Sequence, residues 1–358
     1  MSLLKTTWKK EPKRPEVGIE VLDKVAARGS FVIIRDKTLY KTLYKQPERG
    51  PEVERLKKKR EDLTLEERIN ERVMEVNFKI WMENLVDNLP VIKTCENISQ
   101  IPKATRRAAI VVGAGPSFKE KGHMELLRGV KNQAIIAVDR MFIQLLSAGI
   151  TPDIVASVDG HRELIVRWYD SPLVDENRGT IGVMAVTVAS NVVKRFLGGK
   201  FFFTPLLDEL DSPTSLTKAI SYITGAPILS AGANIGITCV NLAAYLGYKN
   251  IILTGMDQGY TMETPIEKSA YYPIVKEADP TMTPEKYKKV FIEYGYNPDF
   301  KVEYYTDKVF KYHRDHLVEI SNYLAENGVT IINATEGGAV HGGAIIGMSL
   351  KEALRKYG

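Results

Sequence analysis

Several separated stretches of the chain hold residues whose types and spacing suit phosphate chemistry. In Ile110–Ser117, IVVGAGPS, apolar residues run into a Gly-X-Gly-Pro-Ser turn, and a charged helical pattern follows from Lys119. A strand, tight turn and helix start in that order gather backbone N–H groups where an anion can sit. Gly113 and Gly115 let the chain turn sharply and approach a ligand without a Cβ in the way. Pro116 presets φ at the helix start, where no N–H is needed. Ser117 can cap the helix or bind phosphate. Asp139 closes the apolar run AIIAV, and Asp159 falls in VASVDG. Ser230, Gly232 and Asn234 fall in LSAGANIG, and Asp257 in ILTGMDQGY.

Each of these residues alone reads equally as a helix cap. Together they define a polar cleft, because ligands of an open parallel sheet bind beyond the carboxyl ends of its strands. The GAGPS turn is not a dinucleotide fingerprint, since Phe118 stands where G-x-G-x-x-G needs its third glycine, and it is not a Walker loop.

The elements that must position these residues follow from the hydrophobic pattern. Ala108–Val112, Ala134–Val138, Ile154–Val158, Thr180–Val186, Lys200–Thr204, Asn250–Thr254 and Val329–Asn333 are apolar runs of strand length. Helical patterns separate them near 119–129, at Met141–Ala148, at Ile235–Leu246 before Gly247, and at Thr306–Glu326; a last helix starts at Ser349. Continuous apolar strands alternating with helices predict an α/β fold, a doubly wound, mostly parallel Rossmann-like sheet. Before it, Leu63–Leu89 predicts a long helix, capped by Thr64 with Glu67 three residues on and ended by Pro90. The expected organisation is a basic N-terminal appendage (1–60), a helical connector (61–104), a nucleotide-binding core (105–258), a helical lid insertion (259–305) and a helix-strand-helix that completes the core (306–358). In the insertion, rich in Tyr, Pro and Met, Tyr260, Tyr271 and Tyr272 either stack on a ligand or pack against one another.

The chain has 358 residues, 44% hydrophobic and 26% charged, enough for one large core or two modest ones. No apolar run reaches membrane-span length, and the first residues do not resemble a signal peptide. Cys95 and Cys239 make neither a disulfide framework nor a cysteine metal site, so a reducing, cytoplasmic setting is expected. The net charge of +5 is concentrated: residues 1–72 hold 19 Lys and Arg against 13 Asp and Glu, leaving 30 against 31. ERLKKKRED at 54–62 reads as a solvated helix face rather than a nucleic-acid patch, because it lacks interleaved aromatics.

GAGPS, AVDRMFIQLLSAGITPDIVASVD, SAGANIGITCVNLAAYLGYKNIILTGMDQGY and INATEGGA, in that order, resemble the MptE-like family over roughly residues 85–345, thinly across 262–305. Within it they look most like the bacterial motility-associated factors called Maf. That resemblance implies transfer of a nonulosonic, sialic-like sugar from a nucleotide-activated donor to a protein or glycan hydroxyl. The same family includes an archaeal 6-hydroxymethyl-dihydropterin diphosphokinase, which implies the alternative of diphosphate transfer from Mg-ATP. A third alternative is a nucleotide-binding protein without turnover. The pterin enzyme's motif resembles TDLDG, with two aspartates, where this chain has ASVDG with one.

A more distant similarity is to bacterial sialyltransferases that use CMP-sialic acid. Their GNGPS turn, ALGYKEI helix end and GID strand end are answered here by GAGPS, YLGYKNI and GMD. The resemblance implies that the GAGPS turn and Ser230–Gly232 hold the nucleotide part of a CMP-linked donor; Asp139 and Asn234, at the same edge, are further nucleotide-binding candidates. It also implies that His313, or its neighbour His316, is the general base, with Asp257 a second catalytic candidate. Where those enzymes carry asparagines after the second and third strands, this chain has Asp139 and Asp159. Ionised carboxylates cannot donate to phosphate and would repel it. A Mg²⁺ or Mn²⁺ ion between Asp139, Asp159 and the phosphates, with Asp257 as a third ligand, resolves the conflict. His161 and Arg162 could reach a phosphate or acceptor, or simply face solvent at a helix start. His341 borders the cleft or sits in a surface turn, and His123 reads as helix surface.

Overall fold

The computed structural model of the chain describes residues 65–357, apart from 209, 212–214 and 232–233. The expected appendage, the Thr64 cap and Gly232 lie outside the described residues.

The strands, in chain order, are β1 (Glu96–Asn97), β2 (Ala108–Val112), β3 (Ala134–Val138), β4 (Ile154–Ser157), β5 (Ile181–Ala185), β6 (Lys200–Pro205), β7 (Ile228–Leu229), β8 (Asn250–Thr254), β9 (Ile292–Asn297), β10 (Val302–Asp307), β11 (Thr330–Asn333) and β12 (Ile346–Gly347). Ten form one sheet in the order β1-β6-β5-β4-β3-β2-β8-β11-β12, with β7 also paired to β6. Every pairing in it is parallel. β9 and β10 make a separate antiparallel hairpin.

Side chains alternate across the sheet. Val183 and Ala185 of β5 join one core, with the Ile235–Leu246 helix and the inner face of Lys308–Glu326, while Met184 joins the other, with Trp81, Phe142, Tyr169 and Phe196. β2 and β3 are buried at all five positions, which is why they read as unbroken apolar runs. Burying one Leu- or Ile-sized side chain contributes about 1.5–3 kcal/mol, so these two cores fix the sheet on which the polar loops ride.

Chain order along the sheet reverses between β2 and β8. From β2 the chain winds outward through β3, β4, β5 and β6, then crosses back to β8 and continues to β11 and β12. That reversal is a topological switch point, the place where an open α/β sheet leaves a crevice at its carboxyl edge.

Three elements differ from the sequence expectation. The first helix runs Leu65–Ile92, through Pro90. A proline there removes a single helical bond, to the carbonyl of Val86, a residue 65% exposed whose carbonyl water can serve. The helix expected at 119–129 is two short ones, Ser117–Glu120 and His123–Leu127, parted where Gly122 turns left-handed at φ +68°. The insertion is helical in its first half, at Tyr272–Ala278 and Pro284–Phe291, and then adds the β9–β10 hairpin. The long helix therefore starts at Lys308, capped by Asp307, and Thr306 is a strand residue.

Candidate active site at the carboxyl edge

The loops after β2 and β8 are laced together at the switch point. Gly113 N–H donates to the Thr254 carbonyl and Gly115 N–H to the Gly255 carbonyl, both at 2.8 Å. A Cβ on Gly113 would collide with the Gly255 carbonyl oxygen, and one on Gly115 with the Asp257 carboxylate. The glycines thus serve loop-to-loop contact. Pro116 takes helical φ and ψ just before Ser117–Glu120, as its fixed ring predicts.

Ser117 and Asp257 meet here. The Ser117 hydroxyl donates to Asp257 Oδ2 at 2.8 Å, and the Ser117 N–H points to Oδ1 at 3.3 Å. Both residues are buried. The protein's own carboxylate therefore occupies the position at the turn where an external anion was expected. Burial pushes Asp257 up to about 6, against the pull of the Ser117 hydrogen bonds, with Glu120 adding repulsion.

Asp139 follows β3 and is fully enclosed. Its Oδ2 accepts the Ser157 hydroxyl at 3.0 Å and its Oδ1 the Arg140 N–H at 2.7 Å. Burial lifts its pKa to about 7, with the Asp159 charge contributing in the same direction. Asp159 is half-buried and accepts the His161 N–H at 2.9 Å. The two carboxylates are thus neighbours, with Asp159 the more accessible. Among the described residues, no three His, Cys, Asp or Glu side chains converge as a metal nest.

His161 and Arg162 are tied to the first helix. His161 Nε2 lies 2.9 Å from Asn77 Oδ1; Arg162 Nε donates to Asn84 Oδ1 at 2.9 Å and its Nη2 reaches Asp87 at 2.6 Å. The Asn84 amide also donates to the Gly160 carbonyl at 2.8 Å. A row of polar residues on Leu65–Ile92 thereby holds the loop that carries Asp159.

Asn234 caps the Ile235–Leu246 helix, accepting the Ile237 N–H at 3.1 Å, and the Ser230 carbonyl accepts the Asn241 amide at 2.9 Å. Cys239 is buried in that helix, as its apolar setting predicts, and burial pushes its thiol up beyond the ordinary range.

In the insertion, Tyr260, Tyr271 and Tyr272 are buried packing aromatics. Tyr260 stacks on Tyr305 with centroids 4.9 Å apart, Tyr271 meets Phe310 edge-on, and Tyr272 meets Tyr287 edge-on. The Tyr260 hydroxyl donates to Asp307 Oδ2 at 2.9 Å and accepts the Ala270 N–H at 2.8 Å. Asp307 also caps the Lys308–Glu326 helix through the Val309 and Phe310 N–H groups. His313, on that helix, is 1% exposed, and neither ring nitrogen has a hydrogen-bond partner among the described residues. Burial, and secondarily His316, hold its pKa down at about 3. His316 lies 3.9 Å from Glu319.

His123 is not helix surface. It is fully buried, its Nδ1 2.6 Å from the Thr254 hydroxyl and its Nε2 3.1 Å from Glu336 Oε1. Glu336, at φ +60°, also caps the last helix, Leu350–Tyr357, through the Leu350 N–H at 2.9 Å. The loops after β2, β8 and β11 are thus bound into one body. Neither the His123 pattern nor INATEGGA signals this pairing, because only the sheet order brings the three loops together.

Fold and edge together define a doubly wound α/β protein whose carboxyl edge carries the buried carboxylates of Asp139 and Asp257 and the half-buried one of Asp159. The family model described as 6-hydroxymethylpterin diphosphokinase MptE-like matches residues 83–263, just over half the chain, and the protein belongs to that family. Among solved structures, the chain is similar to the MAf glycosyltransferase from Magnetospirillum magneticum AMB-1, at 15% identity and a TM-score of 0.53. The likeness covers 80% of this chain and 42% of that one. It shows a shared fold, and this chain spans less than half of that protein's length. No curated protein matches the chain. Among the described residues, no helix is long and apolar enough to cross a membrane.

Proposed function

We propose that the protein is a nucleotide-sugar-dependent glycosyltransferase that moves a nonulosonic sugar from a CMP-activated donor to a protein or glycan hydroxyl. The observation that supports this reading is that GAGPS, Asp139, Asp159, Ser230, Asn234 and Asp257 all follow the carboxyl ends of strands in one parallel sheet. The nucleotide would lie over Ser230 and Asn234 with the GAGPS turn as a neighbouring wall, its own anion position being taken by the Asp257 carboxylate. The similarity to the MAf glycosyltransferase spans most of this chain and favours sugar as the transferred group.

His313 is held neutral, the state a base needs. In its enclosed setting it is a weak base, and a ligand that offers a polar partner to its ring nitrogens would raise its basicity. Asp257, near 6 and bonded to the Ser117 hydroxyl, is the second acid-base candidate. The insertion, clamped by Tyr260 and Asp307, would exclude water, because hydrolysis of an activated sugar competes with transfer.

A Mg²⁺ or Mn²⁺ ion would be held by Asp139 and Asp159, of which Asp159 is the more accessible. It would take most of its oxygens from substrate phosphate and water and would supply charge neutralisation of the leaving group. A cytoplasmic setting suits the two free cysteines.

The second reading is diphosphate transfer from Mg-ATP to a pterin-like alcohol. The family's name and the adjacent carboxylates favour it. Thermal-shift titration with CMP, CDP, UDP and ATP, with and without Mg²⁺, separates the two, since a ligand that binds the native state raises Tm. CMP preference supports glycosyl transfer, and Mg-ATP preference overturns it in favour of the kinase. No shift with any nucleotide leaves a protein without either activity.

A further inference from the structure

We propose that Arg314, with Tyr304 and His341 beside it, forms an oxyanion subsite on the lid side of the cleft, for a carboxylate or phosphate group of the bound ligand. The proposal rests on the reading above that the cleft holds a ligand, and it names a charge that ligand bears.

Arg314 follows His313 on the Lys308–Glu326 helix. Its side chain is 23% exposed, and its ionic partner is the adjacent Asp315, at 3.4 Å. Its Nε–H is sealed from solvent and meets no acceptor among the described residues. An arginine cannot relieve burial by losing its proton, as a lysine or histidine can. A sealed donor on a permanent cation therefore calls for an acceptor that the described residues do not supply.

The surroundings suit a ligand oxyanion. Arg314 stands close enough to His341 for its charge to oppose protonation of the imidazole, which burial already disfavours. His341 Nε2 lies 3.3 Å from the Tyr304 hydroxyl. Tyr304 is held in place across its strand partner Gly295, where any Cβ would run into the phenol. Asp299, exposed, is the carboxylate that faces His341. The turn bearing His341 is fastened to the switch point, because Ala339 N–H donates to the Asp257 carbonyl at 2.7 Å. A guanidinium fork pairs with carboxylate or phosphate through two parallel N–H bonds, while the imidazole–phenol pair, bonded to each other, keeps one further donor to offer.

Calorimetric titration of the full chain and of Arg314→Gln and Arg314→Lys tests the subsite. The probes are N-acetylneuraminic acid, its uncharged methyl ester, inorganic phosphate and CMP. The wild type is expected to bind the acid but not the ester if the group is a carboxylate, and phosphate and CMP if it is a phosphate. Arg314→Gln should weaken that binding at least about tenfold, and Arg314→Lys by less. Equal affinities in wild type and Arg314→Gln for every anion, or no anion binding by the wild type, overturn the subsite. Nucleotide binding that persists in that case keeps the glycosyltransferase reading. Loss of an anion in Arg314→Gln from a chain that binds no nucleotide keeps the subsite and discards that reading. Should Arg314→Gln not fold, the wild-type His341 ring resonances decide. An anion seated there raises the His341 pKa, and an unmoved titration curve overturns the subsite.

Discussion

Ser117 and Asp257, 140 residues apart, hold each other across the switch point: the serine hydroxyl donates to the carboxylate at 2.8 Å. The pair locks the GAGPS turn to the loop after β8. Ser117→Ala should destabilise the fold by about 1–3 kcal/mol, the cost of leaving a buried acceptor short of a donor. In a double-mutant cycle, Ser117→Ala with Asp257→Asn should cost less than the two single changes added. Strict additivity in urea denaturation would show that the two side chains do not act as a pair.

The enclosed carboxylate of Asp139 makes stability depend on pH in a stated direction. Its folded pKa is raised to about 7, above the ordinary aspartate value near 3.8. The native state therefore holds a proton that the unfolded chain has released. Stability from this group is fully present below the unfolded value and is lost as pH rises through about 7. Asp139→Asn, which keeps the size and removes the charge, should stabilise the protein at pH 8 by up to a few kcal/mol and flatten the pH 5–8 profile. Denaturation midpoints at four pH values check this; a profile as steep in the variant as in the wild type assigns the slope elsewhere.

How much of this was legible beforehand depends on the range of the forces involved. β2, β3 and β8 match their sequence boundaries to the residue, because a strand buried on both faces needs a continuous apolar run at its centre. Asn234, Pro116 and Gly247 do locally what their types predict. The pairings that build the site are not local. His123 reads as surface on its short helix, yet its partners Thr254 and Glu336 stand 131 and 213 residues away. β9 escaped notice because Glu293, Tyr294 and Tyr296 face solvent and Gly295 interrupts the run, so no hydrophobic alternation remains. His161 and Arg162 have their partners on the first helix, a contact that no spacing in DGHRE encodes.

That contact makes Asn84 a sensitive position. It is fully buried, its amide donates to the Gly160 carbonyl, and its oxygen accepts Arg162 Nε. Asn84→Ala should cost about 2–4 kcal/mol, since it leaves more than one buried group unpaired. Hydrogen exchange should show the 159–165 segment losing protection. Unchanged protection there, with a lower midpoint, would mean that the helix stabilises the protein without holding the Asp159 loop.

The neck of the insertion offers a more local test. Tyr260→Phe removes one hydroxyl that serves Asp307 and Ala270 together. The stacked ring is kept, so the loss should be about 1–3 kcal/mol and should fall on the neck. Faster amide exchange across 261–306, with the β2, β3 and β8 amides unchanged, is the expected pattern. Uniform loss across the sheet would show that the insertion is not a separate opening unit.

His313 brings the opposite pH sign to that of Asp139. Its folded pKa, about 3, lies below the ordinary histidine value of 6.5, so the native state holds it neutral where the unfolded chain takes up a proton. Its contribution is therefore fully present above pH 6.5 and is lost as pH falls toward 3. The Phe310 and Tyr312 rings pack near it, and His316 is the charged group that bears on it. His313→Phe keeps an aromatic ring and cannot be protonated. Relative to the wild type it should gain stability steadily between pH 6.5 and 4.5, with little difference at pH 8. His313→Gln keeps a polar group and removes the titration, so it should show the same flattening from a lower baseline. Urea midpoints of the three proteins across that range decide the matter. If all three fall in parallel below pH 6.5, the imidazole is not enclosed in the native state, and His313 then faces solvent as an ordinary base.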